Sequence, residues 1–170
     1  MHECCEDIEL GRELRNKAEN EIEQMRFNNA IKMAKAFRQK LDIIGIEKLV
    51  FDDRLQIAGT IDLLGKSHKL QNTYVIIDHK SNQEISSDNK YNKFALDPIS
   101  HVPDTNFHHY GLQLNTYAYI LKFGGYVPKD AKFKFFLNHV TPEAAKLIEL
   151  PDMQSEVKDI VIDFLLKKRS

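Results

Sequence analysis

Residues 74–80 constrain the chain more than any other stretch. Tyr74-Val75-Ile76-Ile77 is continuously apolar and rich in β-branched side chains, and it runs straight into Asp78-His79-Lys80. A short apolar run without polar alternation is expected of a central strand covered on both faces. Its charged end therefore lies beside a core. Residues i and i+2 of a strand share a face, so Asp78 and Lys80 point one way and His79 the other. Asp62 has the same character, standing between Ile61 and Leu63 at the end of Ala58-Gly59-Thr60-Ile61-Asp62. Burying a carboxylate without a partner is costly, and two converging carboxylates repel each other. A divalent cation relieves both costs, and oxygen donors suit Mg²⁺ or Mn²⁺. Lys80 then stands beside the ion, where an ammonium orients a water or neutralises charge growing on a phosphate oxygen. The backbone carbonyl of His79 is a further oxygen that can face the ion.

Periodicity places these residues in a fold. Leu14, Ala18, Ile22 and Met25, then Ala30, Ala34, Phe37 and Leu41, predict a helical stretch over 11–41, with a bend or two consecutive helices and a break at Gly45. Strands are expected at 48–51 and 55–64, joined by a turn at Asp52-Asp53, and at 74–77. A long polar connection fills 81–106, and loops of that length are often functional. A helix capped by Thr105 or Asn106 carries the stripe Tyr110, Leu114, Ala118 and Leu121 and ends at Gly124-Gly125. Residues 132–140 alternate as a strand. After Pro151 a last helix with the stripe Val157, Ile160 and Phe164 runs to about Leu166 and into Lys167-Lys168-Arg169. The order α-β-β-β-α-β-α predicts an α/β fold, a mixed central sheet flanked by helices. One domain is expected over 1–170, with 1–10 a flexible N-terminal segment.

Composition narrows the function classes. The 170 residues carry 24 basic and 25 acidic side chains, a net charge of −1, which excludes a histone-like basic protein. A local patch still attracts phosphate on a neutral protein. Arg12, Arg15, Lys17, Arg26, Lys32, Lys35, Arg38 and Lys40 offer such a surface on the first helices. No apolar run is long enough to span a bilayer, so no membrane partner is expected. The acidic start MHECCEDIEL lacks the layout of a secretory signal. Cys4 and Cys5 are adjacent and supply neither a disulfide framework nor a four-thiolate zinc or iron–sulfur site, which points to a reducing cytosol. With His2 they read as a frayed terminus. No Walker-type phosphate loop is present, so no ATP use is expected.

Gly59-x-x-Asp62, then a strand ending Asp78-x-Lys80, then Gln113-x-x-x-Tyr117 on the next helix resembles the signature order of RecB-like nucleases of the PD-(D/E)XK superfamily. The resemblance runs from about Gly11 to Val140, and residues 103–121 are particularly similar to viral and phage members. It implies a restriction-endonuclease-like core and metal-dependent hydrolysis of nucleic-acid phosphodiesters. Asp62, Asp78 and the His79 carbonyl would hold Mg²⁺ or Mn²⁺, Lys80 would act in catalysis, and Gln113 and Tyr117 would contact the strand. Four residues apart, those two share one helix face. An exonuclease working on DNA ends or single strands is expected. The alternatives are a structure-selective endonuclease such as a junction resolvase, or a nucleic-acid-binding module. A helicase or recombination partner and a cytoplasmic or nucleoid location follow from the same resemblance.

One position departs from the pattern. Family members carry histidine in Gly-x-x-x-His on the first helix, and here Gly11 is followed by Arg15. A cation cannot ligate a metal. Glu19 is the first substitute and Glu23 the second, and a solvated Arg15–Glu19–Glu23 ion-pair ladder is the equal alternative. One or two metals therefore remain open. His108 and His109 point to different faces and read as polar surface.

Overall fold

The computed structural model describes residues 2–13, 18–81 and 84–168, with side chains from Cys5 onward. Leu14, Arg15, Lys17 and Arg169 lie outside the described residues, as do the side chains of His2 and Cys4. Nine elements follow in order: α1 (His2–Leu10), α2 (Glu21–Lys40), β1 (Leu41–Asp52), β2 (Ile57–Ser67), β3 (Thr73–Lys80), α3 (Asn106–Phe123), β4 (Lys132–Val140), β5 (Ala145–Leu150) and α4 (Gln154–Lys167). The strands form one sheet in the order β1-β2-β3-β4-β5. Only β3 and β4 pair in parallel, and the other neighbours are antiparallel. The mixed, helix-flanked α/β sheet is the fold that periodicity predicts, with one more helix at the front and one more strand, β5.

The apolar run of β3 fills the sheet's centre, where seven of its eight residues are buried. Tyr74 and Ile76 meet Leu114, Ile120 and Leu121 of α3. Val75 and Ile77 meet Phe37 of α2 and Leu63 of β2 on the other face. Each such aliphatic side chain contributes roughly 1.5–3 kcal/mol on full burial. The alternation carries on to the end of the strand and fixes which way Asp78, His79 and Lys80 point.

Several boundaries differ from the periodic reading. Residues 2–10 are not a flexible segment: α1 buries Cys5, Asp7 and Glu9, with Cys5 against Phe27 and Ala30 of α2 and Val140 of β4. Arg38 of α2 donates to the carbonyls of Ile8 and Glu9, capping the C-terminus of α1. In α2, Ile22 and Met25 are exposed and Phe27 takes the core position. Gly45 does not break the chain; it sits in β1 beside an irregularity in the register with β2. In α4 the buried stripe is Val157 and Val161, and Phe164 is exposed. The β1–β2 turn is closed by Asp52, whose carboxylate accepts from the Arg54 side chain and from the N–H groups of Arg54 and Leu55. The Arg54 hydrogen bond, above all, holds the Asp52 pKa below its ordinary value.

The pairing between β2 and β3 stops at one end. It runs from Lys66↔Tyr74 to Leu63↔Ile77 and goes no further. Beyond it β2 stays with β1 as far as Ile57, while β3 stays with β4 as far as Lys80↔His139. The two halves of the sheet part there, at Asp62 and Asp78.

Candidate active site

Where the ladder ends, a side chain takes over from the backbone. The N–H of His79 donates to Oδ2 of Asp62 at 2.7 Å. Continuing the register by one residue sets Asp62 opposite Asp78. Both carboxylates are buried, 9% and 6% exposed, so neither is a solvated surface charge. The ammonium of Lys80 contacts Oδ2 of Asp78. It also lies 4.8 Å from the centre of the Tyr110 ring of α3, on whose face a cation is favoured. Asp62 thus bonds the strand that carries Asp78 and Lys80, at the peptide between those two residues.

The helix residues join them through a glycine. A Cβ on Gly59 would stand 2.4 Å from Cε1 of Tyr117 and 2.8 Å from its hydroxyl. Only a residue without a side chain lets β2 lie this close to α3. Gln113 Nε2 donates to the Tyr117 hydroxyl at 2.9 Å. Gly59, Gln113 and Tyr117 therefore belong to a single packed unit, three residues along β2 from Asp62. His108 and His109 serve the start of α3 instead: His108 contacts its N-cap Thr105, and His109 pairs with Asp104.

Glu19 is exposed and Glu23 half-buried, and neither is brought to this site. Glu23 accepts from the N–H of Glu19, and its own N–H donates to the N-cap Asn20. Both belong to the start of α2. The acidic residues near the strand ends come from elsewhere. Burial, then the negative charges of Asp62 and Glu6, raise the pKa of Glu47 above the ordinary carboxylate value, with His79 lowering it and Glu9 raising it. Glu47 has a left-handed φ of 46° in β1. It falls between the paired residues Ile46↔Leu63 and Lys48↔Ile61, across from Asp62.

Behind the sheet, His79 is 2% exposed. Its Nε2 lies 3.1 Å from Oε1 of Glu9, and its Nδ1 lies 2.9 Å from Nδ2 of Asn138 on β4. Burial opposes a charged ring, but hydrogen bonds to Cys5 and Glu9 and their charge prevail and hold the His79 pKa well above its ordinary value.

Glu6, Glu9, Glu47 and Asn138 escape the motif reading. Asn138 alone leaves a signal, a lone amide in the apolar strand Phe135-Phe136-Leu137-Asn138. Among the described residues no group of three or more His, Cys, Asp or Glu side chains is arranged to hold a metal ion. No helix among them is long and apolar enough to cross a membrane.

The family model described as PD-(D/E)XK nuclease superfamily matches residues 2–164. No curated protein matches the chain.

Proposed function

The chain belongs to the PD-(D/E)XK nuclease superfamily, and we propose that it is a Mg²⁺- or Mn²⁺-dependent deoxyribonuclease, an exonuclease acting on DNA ends or single strands. Membership implies a hydrolase with a nucleic-acid substrate. The observation that carries the finer reading is the 2.7 Å hydrogen bond from the His79 N–H to Asp62, which ties one acidic residue to the strand bearing Asp78 and Lys80.

The donor chemistry fits a hard cation. Asp62, Asp78 and the His79 carbonyl offer oxygen only, the donor type a hard cation prefers. These three residues would hold the ion. Such an ion polarises a phosphate oxygen and acidifies water. The remaining work falls to the protein's own groups. Lys80, charged between Asp78 and the Tyr110 ring, presents N–H donors to the phosphate oxygen on which charge grows. Asp78 keeps that ammonium in place. The Gln113 amide occupies the lone pair of the Tyr117 phenol, so its O–H is directed to the DNA backbone. Tyr117 in turn is fixed by its contact with Gly59.

Exonuclease action draws its support from the resemblance to RecB-like nucleases, which commonly act at DNA ends. A location in the cytoplasm or on the nucleoid, and a helicase or recombination partner, belong to the same reading. Incubation of linear and covalently closed circular DNA with the purified protein tests it. With Mn²⁺ or Mg²⁺ the linear form is expected to shorten from its ends while the circle persists, and EDTA is expected to stop the reaction. Equal rates with and without EDTA, or linearised circles, would reject it.

A further inference from the structure

We propose that the His79 side chain is a positioning residue, clamped between Glu9 of α1 and Asn138 of β4 so that its own peptide holds Asp62 beside Asp78 and Lys80. The inference rests on the reading of those three residues as the reactive group. It assigns a task to α1 and to a face of the sheet that touches no substrate.

The geometry makes the case. His79 stands between Asp78 and Lys80 in the chain but points away from them, into the layer formed by α1 and α2. Cys5 of α1 bonds the ring on the same side as Glu9, and the two ring nitrogens have Glu9 at 3.1 Å and Asn138 at 2.9 Å as partners. The two partners lie on different elements, so the ring cannot turn without losing one of them. Fixing the ring fixes the Cα of residue 79 and with it the direction of its N–H. That N–H ends on Oδ2 of Asp62. The ladder between β2 and β3 has already stopped, so this bond spans the gap where backbone pairing is missing. Asp62 therefore takes its place from a hydrogen bond whose donor is held from behind.

The clamp is itself anchored. Glu9 lies in the last turn of α1, whose terminal carbonyls are capped by Arg38. Cys5, one turn earlier, is buried against Phe27, Ala30 and Val140. Asn138 is 1% exposed on β4, paired beside His79 in the sheet. A rigid arrangement on three elements is what a site needs to keep its reacting groups within a fraction of an ångström. Outer partners of metal-binding groups commonly govern affinity in this manner.

Amide hydrogen exchange in the metal-free protein reads the bond directly. In Glu9→Ala the His79 amide is expected to exchange about tenfold faster relative to the Ile76 and Ile77 amides of the same strand. Glu9→Gln, which keeps an acceptor for Nε2, is expected to restore protection to within about threefold of wild type. Calorimetric titration with Mn²⁺ is expected to show affinity about tenfold weaker in Glu9→Ala. Equal acceleration at residues 76, 77 and 79 would mean that Glu9 only stabilises the fold, and the inference would fail. So would unchanged exchange at His79, or a Gln variant no better protected than Ala. Should Glu9→Ala not fold, Asn138→Ser makes the same exchange measurement from the opposite side of the ring, with the same outcomes deciding. Absent cleavage by wild type with normal exchange behaviour would instead overturn the nuclease reading and leave the clamp standing.

Discussion

Asp78→Asn is expected to lower the rate of DNA cleavage by roughly a thousandfold, about 4 kcal/mol in the barrier. The substitution keeps the shape of a side chain that is 6% exposed, so the strand retains its packing. It removes the charge. The Lys80 ammonium loses its contact carboxylate and keeps only the Tyr110 ring. In the proposed site the two carboxylates would become one, and a hard divalent cation is held far less well by an amide. Binding of DNA is expected to change little, since one fewer negative charge faces the phosphates. Single-turnover cleavage of a labelled strand at saturating Mn²⁺, beside a binding isotherm in Ca²⁺, separates the two effects. Cleavage within tenfold of wild type would show that Asp78 is not needed for the chemistry.

The largest expected effect on stability belongs to a residue that touches no substrate. Asn115 is fully buried in α3. Its Nδ2 donates to the carbonyls of Gly111 and Pro151 at 2.8 and 3.0 Å, and its Oδ1 accepts from the Met153 N–H and from Gln154 Nε2, both at 2.9 Å. The N-cap of α4 is Met153, whose side chain makes no capping bond. Asn115 supplies from α3 what the cap position lacks. Truncation to Ala leaves the buried Met153 N–H and the part-buried Pro151 carbonyl and Gln154 amide without this partner, a buried loss being worth about 1–3 kcal/mol. Asn115→Ala is therefore expected to destabilise the protein by about 3–5 kcal/mol, read from the urea midpoint at constant m-value. A change below about 1 kcal/mol would mean that α4 docks by Val157 and Val161 alone.

Legibility of the chain followed the physics of each segment. The run Tyr74–Ile77 announced a strand covered on both faces because nothing in it could face water. Residues 132–140 were equally plain from alternation, and the start of α3 was placed to within one residue, Thr105 and Asn106 both being suited to orphan amides and Thr105 the one that caps. The strand period also placed Asp78 and Lys80 on one face and His79 on the other. By contrast α1 was hidden. It has nine residues, too few for a stable isolated helix, and it buries Asp7 and Glu9, which composition assigns to the surface. It folds against its partners, chiefly α2 and β1, with His79 of β3 and Val140 of β4 meeting its buried face. Strand β5 escaped for a similar reason: Lys146 and Glu149 make it look like a loop, yet as an edge strand it can keep charge on its outer face. Helical periodicity could not choose Phe27 over Ile22 and Met25, since it fixes spacing but not which stripe the sheet covers. In the site, motif residues were legible and supporting ones were not. Glu9 and Asn138 act through His79, and no spacing rule links residues 9, 79 and 138.

The shared use of one cation by Asp62 and Asp78 is tested most directly by a crystal soaked in Mn²⁺ and measured at the manganese absorption edge. A single strong anomalous peak is expected within coordination distance of a carboxylate oxygen from each residue, with the His79 carbonyl beside it. A peak that touches only one of the two, or none at all while the carboxylates turn apart, would contradict it.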